Sequence, residues 1–229
     1  MCTVTYVPSQ MGSIITANRD EAPIRNAEGL VPHFNASEEK FLIAKEPLHG
    51  GTNLAAGVNL VAVLINGAFV AHERKMSYRK SRGIVLLESL NFDSLTSFQK
   101  EDLYGVEPFT LLHFGSSIEE LRWDEYQIHY REINVNEPFI VASAKLYTPQ
   151  VLAKRQNWFK EVINNSNATS EDLLNFHLRG GDGDPENDMV MNRNDLVRTV
   201  SVSQIDAGCA EKKIKHFDLL REKKAEFTL

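Results

Sequence analysis

Cys2 is the residue of this chain best suited to covalent chemistry, because a cysteine thiolate is a strong nucleophile. Removal of Met1 would leave that thiol and an α-amine on the same residue. An α-amine titrates near about pH 8 and can act as the general base for a thiol. A lone cysteine is more often a small packed side chain than a reactive group. The position of Cys2 alone therefore leaves both roles open.

A second group of polar and charged side chains follows the first predicted hairpin: Asn18, Arg19, Asp20 and Glu21. Residues 2–7 and 13–17, which precede this group, are predicted to form strands. The turn between the two strands would return the group to the vicinity of Cys2. The arginine offers a planar fork for a carboxylate, and an acidic side chain could hold an ammonium or orient a base. A solvated strand end is the alternative interpretation.

The elements that would position these residues alternate between strands and helical pairs. Beyond the hairpin, strands are predicted at 41–44, 53–57, 60–65, 109–114, 118–123, 126–130, 139–143, 197–205 and 214–219. Helices are predicted at 81–90, after a cap at Asp93, at 149–163 after Thr148, and at 170–178. The hairpin and the strands up to residue 65 are expected to form one antiparallel sheet, and the strands from 109 to 143 a second.

Each sheet must bury its second face, so this order predicts an α+β fold. We expect a four-layer αββα sandwich of two antiparallel sheets with helices outside. Residues 1–229 are expected to form a single domain, since the length suffices for one substantial core and no linker or repeat interrupts it. Residues 222–229 are expected to be a frayed end.

Composition narrows the classes of function. A formal net charge of -6 disfavours nucleic-acid binding, which requires Lys and Arg to displace condensed counterions. No apolar run approaches the roughly 20 residues that span a bilayer, and the N-terminus lacks the pattern of a secretion signal. Cys2 and Cys209 are too few for a disulfide framework or a thiolate metal site, so a reducing, cytoplasmic setting is predicted.

Two further clusters of charged residues, one basic and one acidic, are candidate binding sites. A basic stretch before the first predicted helix could attract a phosphate or carboxylate to the helix N-terminus, or be an ordinary charged loop: Arg74, Lys75, Arg79, Lys80 and Arg82. The acidic loop 182–188 alternates like a calcium loop, but Arg193 stands where the last ligand should be Glu. No metal site is predicted.

Cys2 followed by Asn18-Arg19-Asp20-Glu21 and Arg25 resembles the NRDE family, also called transport and Golgi organisation protein 2-like. Further matching residues extend over nearly the whole chain: Gly50-Gly51-Thr52, Asn66, Ser81-Arg82-Gly83, Ser143, Thr148-Pro149 and Arg198-Thr199. The family resembles the N-terminal-nucleophile hydrolases, and its nearest chemical analogy is the penicillin V acylase and bile-salt hydrolase group.

The resemblance implies roles for particular residues. By analogy with the acylases, the catalytic candidates are Cys2, Arg19, Asp20, Asn66 and Arg198, with Glu21 as an alternative to Asp20. The ligand-binding candidates are Asn18, Glu21, Arg25, Arg82 and Ser143. Ala144 stands where the family usually has Asn, and one missing oxyanion donor typically costs about 3 kcal/mol of transition-state stabilisation.

The loss of that donor favours a binding function over catalysis. The resemblance then implies intracellular binding or trafficking of a hydrophobic ligand such as haem or acyl-CoA, in a cleft lined by Cys2 and the Asn-Arg-Asp-Glu run. The alternative is an N-terminal cysteine amidohydrolase that cleaves a linear amide or related acyl bond. No cofactor is required by either hypothesis, haem would be cargo, and the oligomeric state stays open.

Overall fold

The computed structural model describes residues 2–10, 12–164, 168–208 and 211–229. Met1 and Cys209 lie outside the described residues. The chain divides into two compact units, of which the first comprises Met1–Gly29, Asn136–Ala142 and Tyr147–Leu229. The second comprises Leu30–Val135 and Ser143–Leu146. Neither unit is a continuous segment, and a single domain over 1–229 stays a prediction.

Strands make up most of the regular structure in both units. In chain order they are β1 (Cys2–Ser9), β2 (Gly12–Glu21), β3 (Val31–Phe34), β4 (Lys40–Ile43), β5 (Leu54–Gly57), β6 (Val61–Asn66), β7 (Phe109–Phe114), β8 (Ile118–Trp123), β9 (Ile128–Ile133), β10 (Phe139–Ala142), β11 (Asn192–Arg193), β12 (Val197–Gly208), β13 (Lys212–Asp218) and β14 (Lys223–Thr228). The helices are α1 (Arg82–Ser89), α2 (Lys100–Leu103), α3 (Pro149–Ile163) and α4 (Ser170–Arg179), with short 3-10 turns at Pro23–Arg25 and Leu95–Ser97. The predicted α+β class with two antiparallel sheets is confirmed.

The first unit is built on one antiparallel sheet in the order β10-β1-β2-β12-β13-β14, with β11 paired to β12. Helices α3 and α4 pack on one of its faces. Their apolar side chains Phe159, Leu173 and Phe176 form a cluster with Ile14 of β2 and with Met189. Both helices begin at threonine caps, because the hydroxyls of Thr148 and Thr169 accept backbone N–H groups of the first turn, and Pro149 occupies the first turn of α3.

The second unit is built on the other sheet, in the order β3-β4-β5-β6-β7-β8-β9. Every residue of β6 and of β7 is buried, which explains why the apolar residues of β6 continue from Val61 to Ile65 without alternation. Helix α1 packs on this sheet through Val85 and Leu86. The core around them includes Trp123, whose indole N–H donates to the carbonyl of Val106 at 3.0 Å.

The predicted assignment of strands to sheets was wrong. The β1–β2 hairpin is confirmed, but it pairs with β10 and β12, whereas β7 to β9 continue the sheet of β3 to β6. Consecutive strands neighbour each other more often than not, and that tendency guided the prediction. Nothing local in Phe139–Ala142 indicates a partner at the start of the chain.

Three local predictions also need correction. The cap after α1 is Ser94 rather than Asp93, because the Ser94 hydroxyl accepts the N–H of Thr96. The strand Val31–Phe34 was not predicted, since a proline interrupts its short run. The end of the chain is not frayed: Lys223–Thr228 is an edge strand paired with β13, and its lysines are typical of protected sheet edges.

Candidate functional site

The opening strand places Cys2 directly opposite Arg19. The two residues are partners in the antiparallel register of β1 and β2, so their side chains lie on the same face of the first sheet. Cys2 is completely buried and Arg19 is 5% exposed. The Arg19 guanidinium donates through Nη2 to the carbonyl of Arg25 at 3.1 Å, which ties the end of β2 to the following 3-10 turn. We call this side of the sheet the Cys2 face.

Glu21 and Arg198 also belong to the Cys2 face. Glu21 lies two residues beyond Arg19 on β2, and Arg198 of β12 is its register partner. An Oε2 to Nη1 distance of 3.4 Å joins Glu21 to Arg25. Burial raises the pKa of Glu21, but neighbouring positive charges, Arg25 and Arg19 among them, outweigh it and leave the pKa below its ordinary value. Glu21 is therefore ionised at neutral pH.

The Nε atom of Arg198 can donate a hydrogen bond to a ligand. Its Nη1 lies 3.1 Å from Oδ1 of Asp195, which is itself largely exposed, so that contact is a weak surface pair. The Arg198 Nε is buried and has no hydrogen-bond partner among the described residues. A hairpin holds this side chain in place: Asn194 and Asp195 adopt φ of 52° and 56°, and β11 returns to pair with β12.

Asp20 and Asn18 lie on the opposite face of the sheet, which carries α3 and α4. The Asp20 carboxylate is completely buried and accepts the hydroxyls of Tyr147 at 2.8 Å and Thr199 at 2.7 Å. Asn18 donates through its amide to the carbonyls of His177 at 3.0 Å and Met189 at 2.6 Å. The strand alternation thus brings Glu21, and not Asp20, to the side of Cys2.

His177 completes a buried polar network on this helix face. Its Nε2 lies 2.7 Å from the Thr5 hydroxyl, and its Nδ1 hydrogen-bonds Oδ1 of Asn18. Burial, together with the positive charge of Arg155, lowers the pKa of His177 to about 3. The ring is neutral at physiological pH. Arg155 is also buried, stacks on the Tyr147 ring at 3.8 Å and donates to the carbonyl of Asp188 at 2.6 Å. These groups fasten the helices to the sheet.

A further polar group extends the Cys2 face toward β13. Asp218 is the register partner of Ser201, which itself pairs with Arg19. The Asp218 carboxylate accepts Asn26 Nδ2 at 2.9 Å and Arg221 Nη1 at 2.8 Å. Burial raises the pKa of Asp218, and these hydrogen bonds more than offset that effect, so the net shift is downward. Sequence analysis missed Asp218 and Asn26, because these two hydrogen-bonded residues lie far apart along the chain.

In the second unit, two pairs of the family-like motif residues meet. Gly51 and Gly83 approach backbone to backbone: a Cβ on Gly83 would lie 2.7 Å from the Thr52 nitrogen. The Thr52 N–H donates to the carbonyl of Gly83 at 3.3 Å. This close approach fixes the start of α1, where Arg82 is the first residue. These glycines serve packing, which explains their motif positions physically.

The second meeting joins Asn66 and Ser143. The Ser143 hydroxyl, completely buried, donates to the carbonyl of Asn66 at 2.7 Å. Asn66 is the last residue of β6 and is 9% exposed. Arg82 in the same unit makes an ion pair with Glu107 at 3.0 Å. The structure thus describes Asn66, Ser143 and Arg82 in the second unit, and the other seven predicted site residues in the first.

The described residues form a cavity in the second unit but no group of metal ligands. A cavity of about 310 Å³ lies in the second unit between Phe69, Arg122 and His129 and contains none of the predicted site residues. No group of three or more His, Cys, Asp or Glu side chains in the described part of the chain could hold a metal ion. No helix among the described residues is long and apolar enough to cross a membrane.

Comparison with models of known protein families finds no match, and a search of curated proteins finds no significant match.

Proposed function

We propose that this is an NRDE-family protein whose Cys2 face binds a ligand with an anionic group and a hydrophobic portion, such as acyl-CoA or haem. One observation carries the proposal: Arg19 is the register partner of Cys2, and Arg198 lies on the same face as the register partner of Glu21. Arginine is suited to carboxylate and phosphate groups, because its planar fork donates two parallel hydrogen bonds.

Arg198 is the arginine best placed to bind a ligand. Its Nε is buried without a partner in the described part of the chain, and an unpaired buried donor costs about 1–3 kcal/mol. A ligand carboxylate or phosphate that accepts this N–H would recover that free energy. The acidic partner of Arg198 in the described part of the chain is the exposed Asp195, so a ligand competes with a weak contact.

The experiment is a titration of the purified protein with palmitoyl-CoA and with haem, followed by tryptophan fluorescence and Soret absorbance. Arg198→Met should raise the dissociation constant about tenfold, as expected for the loss of one charge-assisted hydrogen bond. Arg179→Met is the matched control, because Arg179 is an exposed arginine near the end of α4. Equal affinity of the two variants for both ligands would contradict the proposal.

The second candidate is an N-terminal cysteine amidohydrolase. It is favoured by the direct pairing of Cys2 with Arg19 and by the ionised Glu21 on the same face, which together could orient a nucleophile and its base. The thiolate would attack an amide carbonyl, and the departing amine would take the proton from the α-ammonium of Cys2. Water would then release the acid from the thioester.

Intact-mass analysis tests this mechanism in two steps. The first asks whether Cys2 is the first residue of the purified protein, since a retained Met1 removes the amine base. The second asks whether incubation with an N-acyl substrate adds one acyl mass, which Cys2→Ala should abolish. An unmodified mass together with normal ligand binding by Cys2→Ala would leave binding as the function.

We further propose that the protein has the four-layer αββα fold of N-terminal-nucleophile hydrolases. The presence of two antiparallel sheets, each with helices packed on it, supports this. We propose a cytoplasmic setting, in which the Cys2 thiol stays reduced. An experimental structure and cell fractionation test these two points.

A further inference from the structure

A cluster of charged side chains surrounds Glu107 in the second unit, away from the residues of the Cys2 face in the chain. Arg82 Nη2 lies 3.0 Å from Glu107 Oε2. Lys145 Nζ lies 2.5 Å and His72 Nε2 3.0 Å from the other oxygen, Oε1. We call these four residues the Glu107 cluster. Its members come from three separate parts of the chain, so only the fold brings them together.

The charges of the Glu107 cluster do not balance. Lys145 and Arg82 contribute two positive charges, whereas Glu107 contributes one negative charge. Burial raises the pKa of Glu107, but Arg82, Lys145 and His72 outweigh this effect, so the net shift is downward and the carboxylate is ionised. The cluster thus has an excess of cation at neutral pH.

Lys145 also has more hydrogen-bond donors than acceptors around it. An ammonium carries three donors, and one of them reaches Glu107. The second contact is to His72 Nε2, at 3.1 Å. That nitrogen cannot accept from Lys145 while it donates to Glu107, and the donation to a carboxylate is the stronger interaction. Lys145 therefore keeps two donors that no acceptor in the described part of the chain satisfies.

One observation indicates that a small molecule can reach those donors. The side chains of Lys145, His72 and Arg82 remain 20%, 16% and 15% exposed, so the cluster reaches the surface of the unit. A closed and fully buried network of ion pairs would leave neither spare donors nor access to them.

We propose that the Glu107 cluster binds a small oxyanion, the phosphate or carboxylate group of a ligand, through Lys145 with support from Arg82. The oxyanion accepts the spare Lys145 N–H groups and neutralises the excess positive charge. This site does not depend on Cys2 or on the function proposed for the Cys2 face. Phosphate and carboxylate share the required chemistry, and the experiment separates them.

The test is a titration of the full chain with inorganic phosphate and, separately, with acetate, followed by phosphate ³¹P line width and by calorimetry. Saturable binding is expected for wild type, and Lys145→Met should weaken it about tenfold. Lys145→Arg should retain binding within about threefold, because the charge remains. The affinity ratio between phosphate and acetate tells which oxyanion the site prefers.

Lys215→Met is the matched control, because Lys215 is also a partly buried lysine in an ion pair, with Glu171 at 3.9 Å, and it belongs to the first unit. It should bind phosphate as wild type does. Cys2→Ala should also bind normally, which separates this site from the Cys2 face. Equal phosphate affinity of Lys145→Met and Lys215→Met would overturn the proposal, as would the absence of saturable binding to wild type.

Glu107→Gln gives a test of opposite sign. Removing the resident negative charge raises the net positive charge of the cluster, so phosphate should bind about tenfold more tightly than to wild type. If this variant is poorly folded, phosphate should raise its melting temperature more than that of wild type, since a ligand stabilises the state that binds it. A structural ion-pair network without a binding role predicts no phosphate effect on either protein.

Discussion

The alternation of side chains along β2 predicts that neighbouring acidic residues have different tasks. Asp20 is buried on the helix face and holds the hydroxyls of Tyr147 and Thr199, whereas Glu21 lies on the Cys2 face. Substitution of Asp20 should therefore lower the free energy of unfolding, and substitution of Glu21 should change ligand binding. The two substitutions act one residue apart in the chain, so position in the sequence cannot explain a difference.

The expected magnitude follows from the hydrogen bonds lost in Asp20→Ala. The Tyr147 hydroxyl would lose its acceptor in a buried site, at a cost of about 1–3 kcal/mol. The Thr199 hydroxyl would lose less, because the carbonyl of Met189 at 3.4 Å is a second acceptor. We expect a total of about 2–4 kcal/mol for Asp20→Ala and about 1–2 kcal/mol for Asp20→Asn, which keeps one acceptor oxygen.

Urea unfolding measures this difference, with fluorescence of Trp123 and Trp158 and far-UV circular dichroism as independent probes. Glu21→Gln should stay within about 1 kcal/mol of wild type, because its side chain is partly exposed at the strand end. It should bind palmitoyl-CoA several-fold more tightly, since a negative charge beside the arginines is gone. Asp20→Asn should leave that affinity unchanged.

An Asp20→Ala variant that unfolds at the same urea concentration as wild type would contradict these expectations. So would a Glu21→Gln variant that loses as much stability as Asp20→Ala, because both results would mean that the two side chains do not lie on opposite faces. Equal slopes of the urea transitions are required for the comparison, since a changed slope reports a changed extent of unfolding.

Three other predictions concern stability. The pKa of His177 is lowered to about 3 in the folded state. The contribution of this residue to the free energy of unfolding is therefore fully present above the unfolded-state pKa of about 6.5, and it falls as the pH drops from there toward 3. Urea unfolding at several pH values should show a slope smaller by about 1.4 kcal/mol per pH unit in His177→Gln, and an unchanged slope would contradict this. Gly83→Ala should cost about 1–3 kcal/mol, because the added Cβ meets the Thr52 backbone at 2.7 Å, whereas Gly115→Ala, with no contact below 3.6 Å, should cost less than about 1 kcal/mol in the same assay. Thr169→Ala should cost about 1 kcal/mol by loss of the α4 capping box, and a melting temperature equal to that of wild type would refute it.

Much of the secondary structure was predictable from the sequence, because its signals are local. The turn between 2–7 and 13–17 gave the hairpin, and the register of that hairpin does place Cys2 opposite Arg19. Thr148 followed by Pro149 gave the start of α3 to the residue. The apolar run at the start of β6 predicted that strand, since such runs are typical of fully buried strands.

The partners of those strands and the surroundings of the site were not predictable. β1 pairs with a strand that begins at Phe139, and such pairings depend on packing across the whole unit rather than on neighbouring residues. The choice between Asp20 and Glu21 required the alternation of β2 in a known register. Glu107, Lys145 and His72 carry no motif, and only the fold brings them to Arg82.

An NMR titration with palmitoyl-CoA shows whether the ligand binds on the Cys2 face. We expect saturable shifts of the Nε–H resonances of Arg19 and Arg198, while the side-chain amide resonance of Asn18, on the helix face of β2, stays in place. Shifts of the Asn18 amide with silent Arg19 and Arg198 resonances would contradict this expectation.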